Sequence, residues 1–122
     1  MIELTLPWPP SVNHYWARNK NGGMRVGQKG VLFRNAVAEI VATAGITGDM
    51  TSLVTVTIEA HAPDKRRRDL DNVQKALLDS LTHAGVWGDD DQVDDLRIYW
   101  ARDDAGKKRI GSMVKVRVEV LA

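Results

Sequence analysis

Val54-Thr55-Val56-Thr57-Ile58-Glu59-Ala60-His61 alternates apolar and polar residues along its whole length. Successive side chains on a strand point to opposite faces. The stretch therefore reads as a half-buried strand with Val54, Val56, Ile58 and Ala60 turned inward. Pro63 ends it, because proline has no amide hydrogen for a ladder. Downstream the period changes. Val73, Ala76, Leu77, Ser80, Leu81 and Ala84 fall at helical spacing, which predicts a helix over about residues 72–84 closed by Gly85. Upstream, Phe33, Ala36, Val37, Ile40, Val41 and Ala44 repeat that series and predict a helix over about residues 29–44, stopped by Gly45. Ile2, Leu4 and Leu6 alternate with Glu3 and Thr5 as a short strand, interrupted by Pro7-Trp8-Pro9-Pro10. Residues 11–27 read as a loop with Asn21-Gly22-Gly23 as its turn. Leu96, Ile98 and Trp100, then Val114, Val116, Val118 and Val120, mark two last strands. They read as an antiparallel hairpin with a long loop through Asp103-Asp104-Ala105-Gly106. The order β-α-β-α-β-β predicts an α/β (α+β) fold, a mixed sheet covered by two helices. A chain of 122 residues suits a single domain over 1–122 and can bury roughly two-thirds of its surface.

The absence of cysteine excludes a disulfide scaffold, a thiolate zinc site and a cysteine nucleophile. No apolar run approaches the roughly 18 residues of a membrane span. Met1-Ile2-Glu3-Leu4-Thr5-Leu6 lacks the basic and apolar segments of a signal peptide. The expectation is a cytoplasmic protein with no membrane partner.

A net charge of +1 conceals a mosaic. Leu4 to Ala38 holds Arg18, Lys20, Arg25, Lys29 and Arg34 with no acid, and Lys65-Arg66-Arg67-Arg68 is a basic run. Arg97 to Arg117 is again mostly basic, whereas Asp89, Asp90, Asp91, Asp94 and Asp95 cluster without a base. Basic blocks point to a polyanionic partner. Clustered carboxylates repel one another unless a cation relieves them. Both together fit metal-assisted chemistry on phosphates.

The segment Asp64-Lys65-Arg66-Arg67-Arg68-Asp69-Leu70-Asp71-Asn72-Val73-Gln74-Lys75 carries most of this chemistry. Asp71 and Gln74 have the spacing of a capping box. With Asp71 as N-cap, Asp69 lies in extended chain before it, and residues two apart there share a side. Asp69 and Asp71 then converge while Leu70 points to the core, and Lys75 follows Asp71 by one helical turn. Helix-start acids are ordinary in themselves, because they favour the macrodipole. Four cations just before the same helix start oppose it, at roughly 0.3–1 kcal/mol each when exposed, which argues for an incoming anion. The second cluster, Trp87-Gly88-Asp89-Asp90-Asp91-Gln92-Val93-Asp94-Asp95, is either a solvated loop or the source of a third carboxylate. Three oxygen donors suit Mg²⁺ or Mn²⁺. His14, His61 and His83 show no ligand spacing, with His61 on the polar side of its strand. Tyr15 and Trp16, beside Arg18 and Lys20, are either core residues or a platform for an unpaired base.

Three stretches carry a family resemblance: Leu6-Pro7-Trp8-Pro9-Pro10-Ser11-Val12-Asn13, Pro63 to Lys75, and Gly85-Val86-Trp87-Gly88-Asp89-Asp90-Asp91-Gln92-Val93. In order, spacing and total length the chain resembles the RusA-type Holliday-junction resolvases. The resemblance implies a small homodimeric, Mg²⁺-dependent endonuclease of bacteria or their phages, associated with the nucleoid. Such enzymes cut four-way DNA junctions by paired symmetric nicks in recombination and repair, leaving 5′-phosphate and 3′-hydroxyl ends. It implies that Asp69, Asp71 and Asp90 bind metal, with Mn²⁺ as a substitute ion, and that Lys75 is the catalytic lysine. The family pattern places the third aspartate at Asp90. Asp91 adds another acid, so the sequence leaves the choice among Asp89, Asp90 and Asp91 open. Lys65, Arg66, Arg67 and Arg68, with Arg18, Lys20 and Arg25, are the candidate DNA-binding residues, and no small-molecule cofactor is implied.

Two other classes compete. A non-catalytic branched-DNA-binding module would use the acids only as caps and loop charges. A phosphohydrolase of small esters would show little salt-sensitive DNA affinity, and the basic, aromatic loop argues against it.

Overall fold

The computed structural model describes residues 1–121. The elements are β1 (Ile2–Pro7), α1 (Val12–Tyr15), β2 (Trp16–Arg18), β3 (Met24–Val26), α2 (Gln28–Thr43), β4 (Val54–His61), α3 (Asp71–His83), β5 (Val93–Trp100) and β6 (Met113–Val120). A single 3-10 turn, Asp90–Gln92, precedes β5. Four strands form one mixed sheet in the order β1-β6-β4-β5. Only β4 and β5 run parallel, and β2 and β3 form a separate two-stranded hairpin.

The alternation read from β4 continues across the sheet as rows. Leu6, Val114, Ala60 and Trp100 stand side by side, then Leu4, Val116, Ile58 and Ile98, then Ile2, Val118, Val56 and Leu96. These rows face α2 and α3. Phe33, Val37 and Val41 of α2, and Val73, Ala76, Leu77 and Leu81 of α3, complete one core with them and with Trp87. Fully burying a side chain such as Ile58 or Leu77 is worth roughly 1.5–3 kcal/mol. The opposite face carries Glu3, Arg117, Thr57 and Arg97 in one row and Thr5, Lys115, Glu59 and Tyr99 in the next. That polar face explains why the sheet is covered on one side only.

The expected β5–β6 hairpin does not form. β6 lies between β1 and β4, antiparallel to both. Its three buried valines, Val114, Val116 and Val118, need neighbours on each side, which only a central place supplies. β5 follows β4 through α3 as a crossover, the connection that parallel neighbours require. It becomes an edge strand carrying Asp94, Asp95 and Arg97, charges that discourage further pairing. The chain between Trp100 and Met113 passes the end of β4 instead, where Ala101 N–H donates to Ala60 O at 2.8 Å and Gly111 N–H to Ala62 O at 2.9 Å.

Residues 11–27 are not the open loop their turn residues suggest. Ser11 O accepts from the amides of His14 and Tyr15 at 2.9 and 2.8 Å, which starts the short helix α1. Trp16 then pairs with Val26 and Arg18 with Met24 around the Asn21-Gly22-Gly23 turn. Gly22 sits at φ +90°, where a side chain is strained. Gly30 lets α2 pass under this unit, because a β-carbon there would lie 2.4 Å from Tyr15 O.

Candidate active site and nucleic-acid interface

The decisive local geometry lies at the start of α3. The residue ahead of the helix is Leu70, not Asp71, and it already has helical dihedrals, φ −65° and ψ −29°. Asp71 is the first helical residue and no side chain caps the end. The predicted Asp71–Gln74 capping box is therefore absent, and the Asp71 carboxylate is not consumed by its own backbone. The helical turn at Leu70 also removes the extended segment that was to place Asp69 and Asp71 on one side. Leu70 packs against the core as expected. Asp69 opens into a depression shared with Trp8, Pro9, Ser11, Arg67, Arg68, Val73 and Lys108. Asp71 opens into the neighbouring one, with Lys75, Gln74, Leu78, Val12 and Asp90. Asn72 borders both. The two acids line adjoining depressions that share Asn72.

Asp90 reaches this site from another part of the chain. The capping box predicted at Asp71 occurs here instead: Asp89 accepts from the Asp91 amide at 3.2 Å, and Gln92 Oε1 accepts from Asp89 N–H at 3.0 Å. Buried Gln92 also donates from Nε2 to Asp49 O at 2.9 Å and Ser52 O at 2.8 Å. With Asp89 committed to the turn, Asp90 is the acid of the cluster that lines the depression with Asp71 and Lys75. Its Oδ1 lies against Thr82 Oγ1 and 3.4 Å from Trp87 Nε1, and the indole donates to Thr82 Oγ1 at 2.6 Å. Oδ2 is left for other partners. Sequence reasoning missed Thr82, Trp87 and Gln92 as supports. The Asp89-x-x-Gln92 spacing was a usable signal for Gln92.

Among the described residues, no three His, Asp or Glu side chains gather closely enough to cage a metal by themselves. The grouping is two carboxylates and a lysine, with a third carboxylate beyond Asn72.

The family profile described as Endodeoxyribonuclease RusA matches residues 7–120, from the end of β1 through β6, and so covers both long helices and the other three strands of the sheet. The crossover junction endodeoxyribonuclease RusA of Escherichia coli strain K12 is 48% identical over 95 residues, 78% of each chain. Proteins of that same name from Shigella sonnei and from Enterobacteria phage 82 are each 46% identical over the same span. The chain belongs to the RusA endodeoxyribonuclease family.

In this RusA-family chain the basic run is only partly free. Asp64 takes Arg66 Nη2 at 3.1 Å and Arg68 Nη2 at 2.8 Å. Arg66 first, then Arg68, pushes the Asp64 carboxyl down to about 2. Arg66 and Arg68 are therefore partnered, whereas Lys65 and Arg67 make no ion pair among the described residues. This lowers the repulsion expected between the run and the helix dipole. Arg18 and Lys20 project from the hairpin, where Arg25 Nη1 is spent on Arg18 O at 2.9 Å and Asn19 Oδ1 at 2.8 Å.

Tyr15 is unavailable to a base. It is fully buried, its hydroxyl donates to Asp79 Oδ2, and Arg34 Nε donates to that hydroxyl at 3.0 Å. Arg34 also meets Asp79 through Nη2 at 2.7 Å. This network ties α1 and α2 to α3. Trp16 stays half-buried, edge-on to Tyr15 at 5.0 Å. His61 lies on the polar side of β4, as expected, but is buried there, with Nε2 2.6 Å from Glu59 Oε1.

Both tyrosines resist ionisation. Burial, reinforced by Asp79, raises Tyr15. Glu59, reinforced by burial, raises Tyr99, whose hydroxyl donates to Glu59 Oε2 at 2.9 Å. A pKa raised on folding gives stability that is complete below the unfolded value, near 10, and lost as pH rises through the folded value. Each tyrosine of the folded protein should titrate above pH 10, and fully buried Tyr15 should release its proton only with loss of helical circular dichroism. Release of one tyrosine near pH 10 without unfolding would show that its hydrogen bonds do not persist in solution.

Proposed function

We propose that this chain is a Mg²⁺-dependent endodeoxyribonuclease that resolves four-way DNA junctions by paired symmetric nicks, in recombination and repair. The observation that carries the reading is the meeting of Asp71, Lys75 and Asp90 in one depression, beside Asp69 and two arginines, in a RusA-family chain. Its relatives are named crossover junction endodeoxyribonucleases.

The donor chemistry fits Mg²⁺. That ion keeps several waters, takes substrate phosphate oxygens, and needs only one or two protein carboxylates. Asp71 and Asp90 would hold it, Asp90 through the oxygen not facing Thr82, with Asp69 adding charge from beyond Asn72. Mn²⁺ shares the preference for oxygen and would substitute. When bound, the ion supplies polarisation of the scissile phosphate and activation of water. Lys75, one turn after Asp71 in the same depression, would offset the charge that develops on the phosphate. Arg67 and Lys65 would hold the backbone on the side of Asp69. A junction has two-fold pseudosymmetry, and a C2 homodimer would present two equivalent sites to opposite strands. Among the described residues, no helix is long and apolar enough to cross a membrane.

The test pairs a synthetic four-way junction with a linear duplex of matched sequence, each with Mg²⁺ or chelator. Symmetric nicks on the junction alone, requiring the metal, support the proposal. Junction binding without nicking under any divalent ion would make the chain a binding module. Binding should also weaken steeply with salt, with a log–log slope of about −0.9 per phosphate neutralised. A flat affinity between low and moderate salt would remove the basic residues from the interface.

A further inference from the structure

The depression on the Asp69 side has a wall that comes from outside the RusA motif stretches in sequence. Lys108 sits in the connection between β5 and β6, and it lines the same depression as Arg67, Arg68, Asp69 and Asn72. Its ammonium lies 4.1 Å from the centroid of the Trp100 ring. Trp100 in turn stacks on Trp8, with centroids 5.8 Å apart and planes 16° from parallel. The backbone of the connection is braced as well: Arg102 pairs with Lys108, and Arg109 N–H donates to Ala101 O at 2.8 Å. A lysine laid over an aromatic face on a braced turn loses less entropy on meeting an anion than a freely rotating one. Lys108 makes no ion pair among the described residues. Arg68 Nε, nearby, is buried with no hydrogen-bond partner. Cationic donors thus outnumber Asp69 in this depression, whereas the depression across Asn72 holds two carboxylates and one lysine. A strand laid across the start of α3 meets two different environments in succession.

We infer that Lys108, seated on the Trp8–Trp100 stack, is a positioning residue that grips the DNA phosphate adjoining the scissile one, with Arg67 as its partner. The carboxylate side takes the reacting phosphate and the Lys108 side takes its neighbour. Lys108 thereby sets which bond lies over Asp71 and Asp90. The inference rests on the nuclease reading given above.

The experiment compares wild type with Lys108→Ala, Lys108→Gln and Lys115→Ala, a lysine on the open face of the sheet. Junction affinity is measured across a salt series in chelator. Single-turnover cleavage is measured in Mg²⁺. Lys108→Ala and Lys108→Gln should each flatten the salt slope by about one unit. They should slow cleavage at saturating protein by roughly 10- to 100-fold, and Lys115→Ala should do neither. A junction with one neutral methylphosphonate beside the cut site supplies the second arm. Wild type should lose cleavage on it, and Lys108→Gln should lose nothing further. Unchanged slopes, or losses that add between protein and substrate changes, overturn the assignment. Wild type that binds the plain junction but never cuts it overturns the nuclease reading instead, while the salt slopes still judge Lys108. Gln at 108 keeps a long stem over Trp100, so a folding defect confined to the alanine variant does not confuse the result.

Discussion

Asp71→Asn leaves the four-way junction bound and uncut. Cleavage should fall at least roughly 1,000-fold, the upper range for losing one preorganised electrostatic group. Affinity in chelator should be equal or tighter, because a negative charge facing the DNA is gone. The expectation is sharp because the fold draws on this carboxylate only through the helix dipole, roughly 0.3–1 kcal/mol. Among the described residues it caps no helix and makes no ion pair, so the melting temperature should fall by no more than a few degrees. Gel-resolved nicking and a binding isotherm on the same preparation check both halves. Cleavage at the wild-type rate would remove Asp71 from the chemistry. Parallel loss of binding and melting temperature would make it structural. Asp69→Asn separates the two depressions further: a milder loss than at Asp71 is expected if Asp69 acts from beyond Asn72.

Trp87 couples the core to the site, and its replacement should produce the largest stability change in the chain. Its side chain is fully buried, and its indole holds Thr82 beside Asp90. Trp87→Ala should cost about 3–5 kcal/mol, a large share of the roughly 5–15 kcal/mol that a domain possesses. Thermal unfolding should drop by roughly 10–20 °C. Trp87→Phe keeps most of the ring and loses only the N–H. The Thr82 hydroxyl has one proton and two acceptors in reach, Asp90 Oδ1 and Leu78 O, and without the indole it turns more freely between them. With Asp90 in the metal-holding role proposed above, cleavage by the phenylalanine variant should fall roughly 10- to 100-fold. The same variant cutting at the wild-type rate would show that Asp90 needs no such support.

Much of this molecule is legible from residue order because local periodicity and burial agree. The valine and isoleucine alternation in β4, and the i, i+3, i+4 series of α2 and α3, each specify an element whose apolar face the fold then buries. Pairing was not legible in the same way. Nothing local in Val114 to Val120 distinguishes a hairpin partner of β5 from a central strand. The choice depends on which neighbours bury three valines, a property of the whole sheet. At the site, spacing singled out Asp69, Asp71 and, one turn on, Lys75, whereas the choice of Asp90 came from the family resemblance. The helical turn at Leu70, which makes Asp71 the first residue of α3 and leaves it without a capping role, was not legible. For Tyr15 the sequence left core and stacking roles both open. Its partners, Arg34 and Asp79, are distant in sequence and carry no signal next to it.

The placing of β6 also has a kinetic consequence. The strand that completes the sheet is the last in chain order, yet it is the one that β1 and β4 both require. Until residues 113–120 have been made, neither β1 nor the inner edge of β4 has a partner, and their ladder groups stand open to any other extended chain. A nascent chain of this topology can form α2, α3 and the β2–β3 hairpin early, but it closes its sheet only through contacts spanning almost its entire length. Such high contact order slows folding, and open edges in the meantime favour association between chains. The same arrangement makes the finished sheet cooperative, because withdrawing one central strand undoes two pairings at once.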